Sequence, residues 1–225
     1  MSISRGKEIR LSMRVWDLPT RLFHWALVVL VLACYVTERE YWMDLHLLCG
    51  YAVLTLLIFR IIWGFLGSQT ARFAYFMKSP ALALRHVARL FRREPDEEIG
   101  HNPAGGWMVL LLLALLLVST TSGLFSNDDI ASEGPLAKYV SKHTSDIFSA
   151  VHDVVWDVLL AAIVLHILAI IAHAVFKGQN LLRPMITGKK RLPATLRPPR
   201  MANPLLAVAV FLISVALVFA LVRFS

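Results

Sequence analysis

The chain has 225 residues, 57% of them hydrophobic, an apolar content above that of soluble domains, so the excess must be solvated by lipid. Its formal net charge of +8 lies in the segments between apolar runs. That charge therefore reports orientation in a membrane, and nucleic acid is excluded as a partner.

In chain order, basic residues come first: Arg5, Lys7, Arg10, Arg14 and Arg21. Asp17 and Pro19 then signal a helix start, and a first span is predicted over about 19–37. A short turn follows in which Glu38, Glu40 and Asp44 outnumber Arg39. A second span over about 44–66 runs to Gly64 and Gly67, and the next forty or so residues carry Arg72, Lys78, Arg85, Arg89, Arg92 and Arg93. Ser79-Pro80 signals a helix start within them, with Ala83, Val87, Leu90 and Phe91 on one face; the pattern fits an amphipathic helix on the inner membrane surface and an ordinary solvated basic loop equally well. The segment IGHNPAGG leads into a third span over about 105–125, which is charge-free from Trp107 to Phe125. A loop with Asp128, Asp129, Glu133 and Asp146 against Lys138 and Lys142 precedes the fourth span, about 149–176. A basic, proline-rich linker and a last span over about 204–223 complete the chain. The last span has no polar residue but Ser214 before Arg223, which suggests a peripheral or partner-contacting helix. Each span approaches the ~20 residues that cross a ~30 Å hydrocarbon core.

The alternation of basic and base-poor connections predicts a cytoplasmic N-terminus, five spans and an external C-terminus. Residues 1–191 form the expected cofactor-binding membrane domain, and 192–225 a linker and fifth helix. Cys34 and Cys49 lie inside spans without a Cys-x-x-Cys or Cys-x-x-Cys-His motif, which disfavours covalent c-type haem and iron–sulfur clusters.

The chemistry is expected where ionisable residues interrupt the spans. His152 and His166 are fourteen residues apart, about 21 Å along one helix and about 40° in rotation. They face one side at opposite depths. His46 starts the second span from outside and His24 lies just within the first from inside, so depth pairs His46 with His152 and His24 with His166. Two bis-imidazole sites suit haem iron that only shuttles electrons, because both axial positions are filled. Zinc would need four ligands; Asp153 and Asp157 leave it open near His152, whereas His24 and His166 have no acidic neighbour at their depth.

Gly50, one turn after His46, either gives a macrocycle room or packs against a helix. Arg60 follows His46 by fourteen residues, at the level of His24 and His166. It either pairs with a propionate of the inner haem or snorkels to the inner surface. His173 is expected at the interface; His86, His101 and His143 are expected in surface or capping roles, with quinone hydrogen bonding as a lesser alternative for His101.

VWDLPTRLFHW (Val15 to Trp25), RIIWGFLGSQTARFAYF (Arg60 to Phe76), GHNPAGGWMV (Gly100 to Val109) and NLLRPMITGKKR (Asn180 to Arg191) together resemble the bacterial cytochrome b561 family, which includes the cytochrome b subunits of nickel–iron hydrogenases. The resemblance covers residues 14 to about 191. It implies an all-α membrane four-helix bundle with a fifth helix outside the shared core, in the bacterial cytoplasmic (inner) membrane. It also implies two haem b groups held by His24, His46, His152 and His166, and electron transfer between quinone and a partner such as a c-type cytochrome or a hydrogenase-like subunit. Some members resemble a superoxide:quinone oxidoreductase, which would act directly at the outer haem. With no site of its own for hydrogen, sulfur or flavin chemistry, the chain reads as a relay more than as a complete enzyme.

Overall fold

The computed structural model describes residues 9–94, 97–127 and 132–224. Arg5, Lys7, Asp128 and Asp129, used above to orient the chain, lie outside them. Among the described residues, five helices are long and apolar enough to cross a membrane: α1 (Leu18–Arg39), α2 (Met43–Leu66), α5 (Pro103–Gly123), α6 (Lys142–Ala172) and α8 (Pro204–Phe224). Their starts follow the local chemistry. The Asp17 carboxylate accepts from the Thr20 amide at 2.7 Å with Pro19 in the first turn of α1. The Asn102 side chain accepts from the Gly105 amide at 2.7 Å ahead of α5, with Pro103 after it. Ser141 caps α6 through the Thr144 amide. Each cap satisfies a backbone donor that the first helical turn leaves orphaned.

The closest helix pairings are α5 on α6 and α1 on α2. The two halves meet through a core of Val53, Leu57, Leu116 and Leu159, with Leu27, Leu30 and Val31 of α1 against it. Tyr35 of α1 stacks on Trp156 of α6 with ring centroids 5.9 Å apart. The outward faces are exposed leucine, valine and isoleucine, as lipid solvation requires.

Two features depart from the linear reading. The last helix is not merely peripheral: α8 packs along α2 and buries Ala207, Val210, Ser214 and Val218, with Phe211 against Phe59. The basic flanks also have regular structure. β1 (Arg10–Arg14) pairs antiparallel with β2 (Lys189–Pro193), burying Met13, Val15, Trp16 and Leu192. This ribbon and the short helices α3 (Phe73–Phe76), α4 (Pro80–Ala88) and α7 (Leu182–Thr187) gather at the basic end of the bundle. The predicted amphipathic helix is α4, but its less exposed side holds Ala83 and His86, while Val87 is exposed; beyond its end Leu90 is half-buried and Phe91 exposed.

Candidate metal centres

At the acidic end, α2 and α6 bring His46 and His152 together with ring centroids 6.3 Å apart and planes at 80°. His46 Nδ1 lies 3.0 Å from the Cys34 carbonyl oxygen, and His152 Nδ1 lies 2.8 Å from that of Ser119. A carbonyl only accepts, so each Nδ1 carries the proton and donates, which leaves both Nε2 lone pairs free. This is the arrangement that metal-ligating histidines use to fix tautomer and ring orientation. An imidazole nitrogen sits about 1 Å from its ring centre and about 2 Å from a metal it binds, so two axial rings have centroids about 6 Å apart. The observed separation matches that figure.

Sequence spacing could not supply the carbonyl partners, because they belong to backbones of α1 and α5 brought in by tertiary packing. Gly123 has the same origin. A Cβ there would lie 3.1 Å from His152 Cε1, so the glycine lets α5 ride directly over the imidazole. At Gly50 an added Cβ would meet nothing within 4 Å, so it is not a helix-packing glycine.

At the basic end, His24 of α1 and His166 of α6 lie within electrostatic reach of one another. Arg60 of α2 does not snorkel. It is 3% exposed, its guanidinium sits 5.0 Å from the Phe73 ring centroid and 6.0 Å from that of Phe76, and Asp17 is an electrostatic neighbour. Asp17 itself is occupied, accepting from the Thr20 amide and from Trp63 Nε1 at 3.1 Å.

His101 is the residue that the linear reading misplaced. Gly100 at φ 106°, a conformation open to glycine, turns the chain just before α5. His101 is thereby set between Trp16 and Phe76, with ring centroids at 4.6 and 4.8 Å. Burial, followed by the influence of Arg60, His166 and His24, pushes its imidazole down to about 3, so it is neutral and belongs to the inner group. The available signal was Gly100 before the Asn102 cap, which marks a turn and not an exposed loop. His173 is buried too, on a π-helical turn (His173–Lys177) that extends α6. Its Nδ1 donates to the Ala169 carbonyl at 2.8 Å, so Nε2 accepts, from His86 at 3.2 Å and from the Asn102 amide at 3.3 Å. His143 is exposed in the first turn of α6. Asp153 and Asp157 are exposed as well, and among the described residues no three His, Cys, Asp or Glu side chains gather where one ion could bind them. The donor set is therefore paired imidazoles, which suits axial ligation of a macrocycle-bound metal better than a closed zinc site.

The sequence profile of prokaryotic cytochrome b561 matches residues 15–188, a stretch that contains all four paired histidines. The chain belongs to the prokaryotic cytochrome b561 family. This cytochrome is also 24% identical over 217 residues, 80% of its own length and 90% of the relative's, to a protein of Rhizobium leguminosarum bv. viciae named "Probable Ni/Fe-hydrogenase B-type cytochrome subunit". No solved structure matches it. Its all-α, five-span architecture accords with a membrane b-type cytochrome in electron transfer. Family membership implies haem b, and both histidine groups fit it: the acidic-end pair through its ring separation and free Nε2 lone pairs, the basic-end group through the buried, unpartnered Nη1 of Arg60 in electrostatic contact with His101, which in turn neighbours His24 and His166.

Proposed function

We propose that this cytochrome holds two b-type haems, one between His46 and His152 and one between His24 and His166, and relays electrons between the quinone pool and a partner redox protein. The relative's name favours a hydrogenase-like subunit as that partner; a c-type cytochrome is the other candidate. The observation that carries the reading is the outer pair: two imidazoles 6.3 Å apart, each oriented by an Nδ1 hydrogen bond to a carbonyl of a neighbouring helix.

His46 and His152 would hold one haem and His24 and His166 the other, and each haem would supply a one-electron couple. The protein's share is to hold geometry. The carbonyls of Cys34 and Ser119 fix the outer rings, Gly50 leaves the face of α2 open, and α6 carries one ligand of each pair. His152 and His166 are separated by about 21 Å of helix, so the two centres span most of a ~30 Å hydrocarbon core. Arg60 would pair with a propionate of the inner haem, which would relieve the cost of an arginine buried at this depth. Residues 1–191 form the haem-binding domain, with the basic end cytoplasmic and the C-terminus external.

Direct reaction with superoxide at the outer haem would draw on Lys138 and Lys142 to attract the anion, and it is less well supported because Lys142 is ion-paired with Asp146. The test is a redox titration of the purified chain with quinol as reductant. Two haems reduced by quinol support the relay, whereas superoxide-driven reduction with quinol inert would replace it with the oxidoreductase.

A further inference from the structure

Among the described residues, five buried side-chain atoms lack a hydrogen-bond partner: Thr20 Oγ1, Arg21 Nε, His24 Nδ1, Arg60 Nη1 and His101 Nδ1. All belong to the basic end of the bundle, and the outer pair contributes none. Unmet buried polar groups cost free energy individually, and three of these belong to His24, Arg60 and His101, which lie within electrostatic reach of one another or of His166, so their concentration there indicates a ligand that satisfies them. The chemistry of that ligand can be read from them. Each of the five atoms is able to donate, and the Arg60 guanidinium is charged. The one carboxylate in electrostatic contact with Arg60, Asp17, is already held by the Thr20 amide and Trp63. The cluster therefore calls for an acceptor that carries negative charge, which a quinone ring does not bring and a carboxylate does.

We propose that His101 and Arg60 together hold a propionate of the inner haem, His101 donating from Nδ1 and Arg60 from Nη1. The proposal rests on the reading that haem binds at His24 and His166. It makes His101 a haem-binding residue supplied by the turn before α5, an element that offers no axial ligand. Its aromatic neighbours Trp16 and Phe76 fix the imidazole plane on two sides, and Phe76 also lies under the Arg60 guanidinium, so both donors are built on one aromatic support.

The test uses full-length protein reconstituted with protohaem or with its dimethyl ester, whose propionates cannot ionise. His101→Phe keeps the ring packing and removes the donor, and His101→Asn restores an N–H near the Nδ1 position. With protohaem, the inner midpoint potential is expected to move negative in His101→Phe, and haem is lost faster to an acceptor protein. His101→Asn should recover most of both effects. With the ester, wild type and His101→Phe should coincide. An unshifted potential in His101→Phe, or an equal shift with the ester, overturns the proposal; His101→Ala carries the same comparison if phenylalanine is not accommodated. Wild-type protein that binds no inner haem overturns both the proposal and the reading beneath it.

Discussion

Ser119 and Cys34 contribute to the outer centre through their carbonyls alone, which is why no pattern of side chains announces them. The meeting of His46 with His152, and of His24 with His166, was legible because helical spacing converts position into depth and facing. The hydrogen bonds that aim their rings were not, since they join helices far apart in sequence. The geometry has spectroscopic consequences. Imidazole planes crossed at 80° predict a highly anisotropic low-spin ferric EPR signal from the outer haem, and a rhombic signal of the kind given by parallel planes would contradict the arrangement. Gly123→Val forces a branched side chain onto His152, where even a Cβ would lie 3.1 Å from the ring, so the outer Soret and α-band contributions should fall while the inner ones persist. Arg60→Leu removes a buried cation from the inner centre and should lower its midpoint potential by several tens of millivolts, where 59 mV is about 1.4 kcal/mol for one electron. An unchanged titration would mean that Arg60 serves packing alone.

Helix α4 was one of the two forms that Ser79-Pro80 and its amphipathic spacing allowed, yet its docking was not legible, because the contact is polar. His86 reaches the buried His173 at 3.2 Å, and Lys177, 6% exposed, meets Glu94 at 3.6 Å. Burial holds the His86 imidazole below its ordinary range; Lys177 and His173 add to that and Glu94 opposes it. A histidine whose value is lowered on docking binds fewer protons docked than free. Docking is therefore full above about pH 6.5, the free value, and weakens as pH falls from there through the depressed one. Protection against hydrogen exchange over residues 80–92, taken relative to the intrinsic rate at each pH, should fall below about pH 6.5 in wild type and lose that dependence in His86→Gln. A pH-independent wild-type profile would contradict the assignment. Helix α8 presented an almost uniformly apolar sequence and gave no facing signal, but Ser214 is fully buried with its hydroxyl donating to the Val210 carbonyl at 2.8 Å. Ser214→Leu should overpack the α2 interface and destabilise the chain by about 1–3 kcal/mol, measured as a lower midpoint in thermal loss of the Soret band.

Across the whole molecule, the pattern of spans and charges was enough to anticipate a five-helix membrane protein, because lipid leaves few ways to satisfy a backbone and helices are one of them. The ribbon of β1 and β2 escaped notice: its strands lie 175 residues apart and its basic composition reads equally well as a disordered flank. That ribbon, α4 and the turn at Gly100 close the basic end over the inner group, whereas the outer pair is framed mainly by transmembrane helices. The relay reading requires both ends to carry haem. A pyridine haemochrome assay, run on the purified wild-type chain and on single leucine substitutions of His24, His46, His152 and His166, tests this most directly. Two haems per wild-type chain are predicted, with His46→Leu and His152→Leu depleting the same spectral component, and His24→Leu and His166→Leu the other. One haem or none in the wild type, or substitutions that deplete the components in any other pairing, would contradict it.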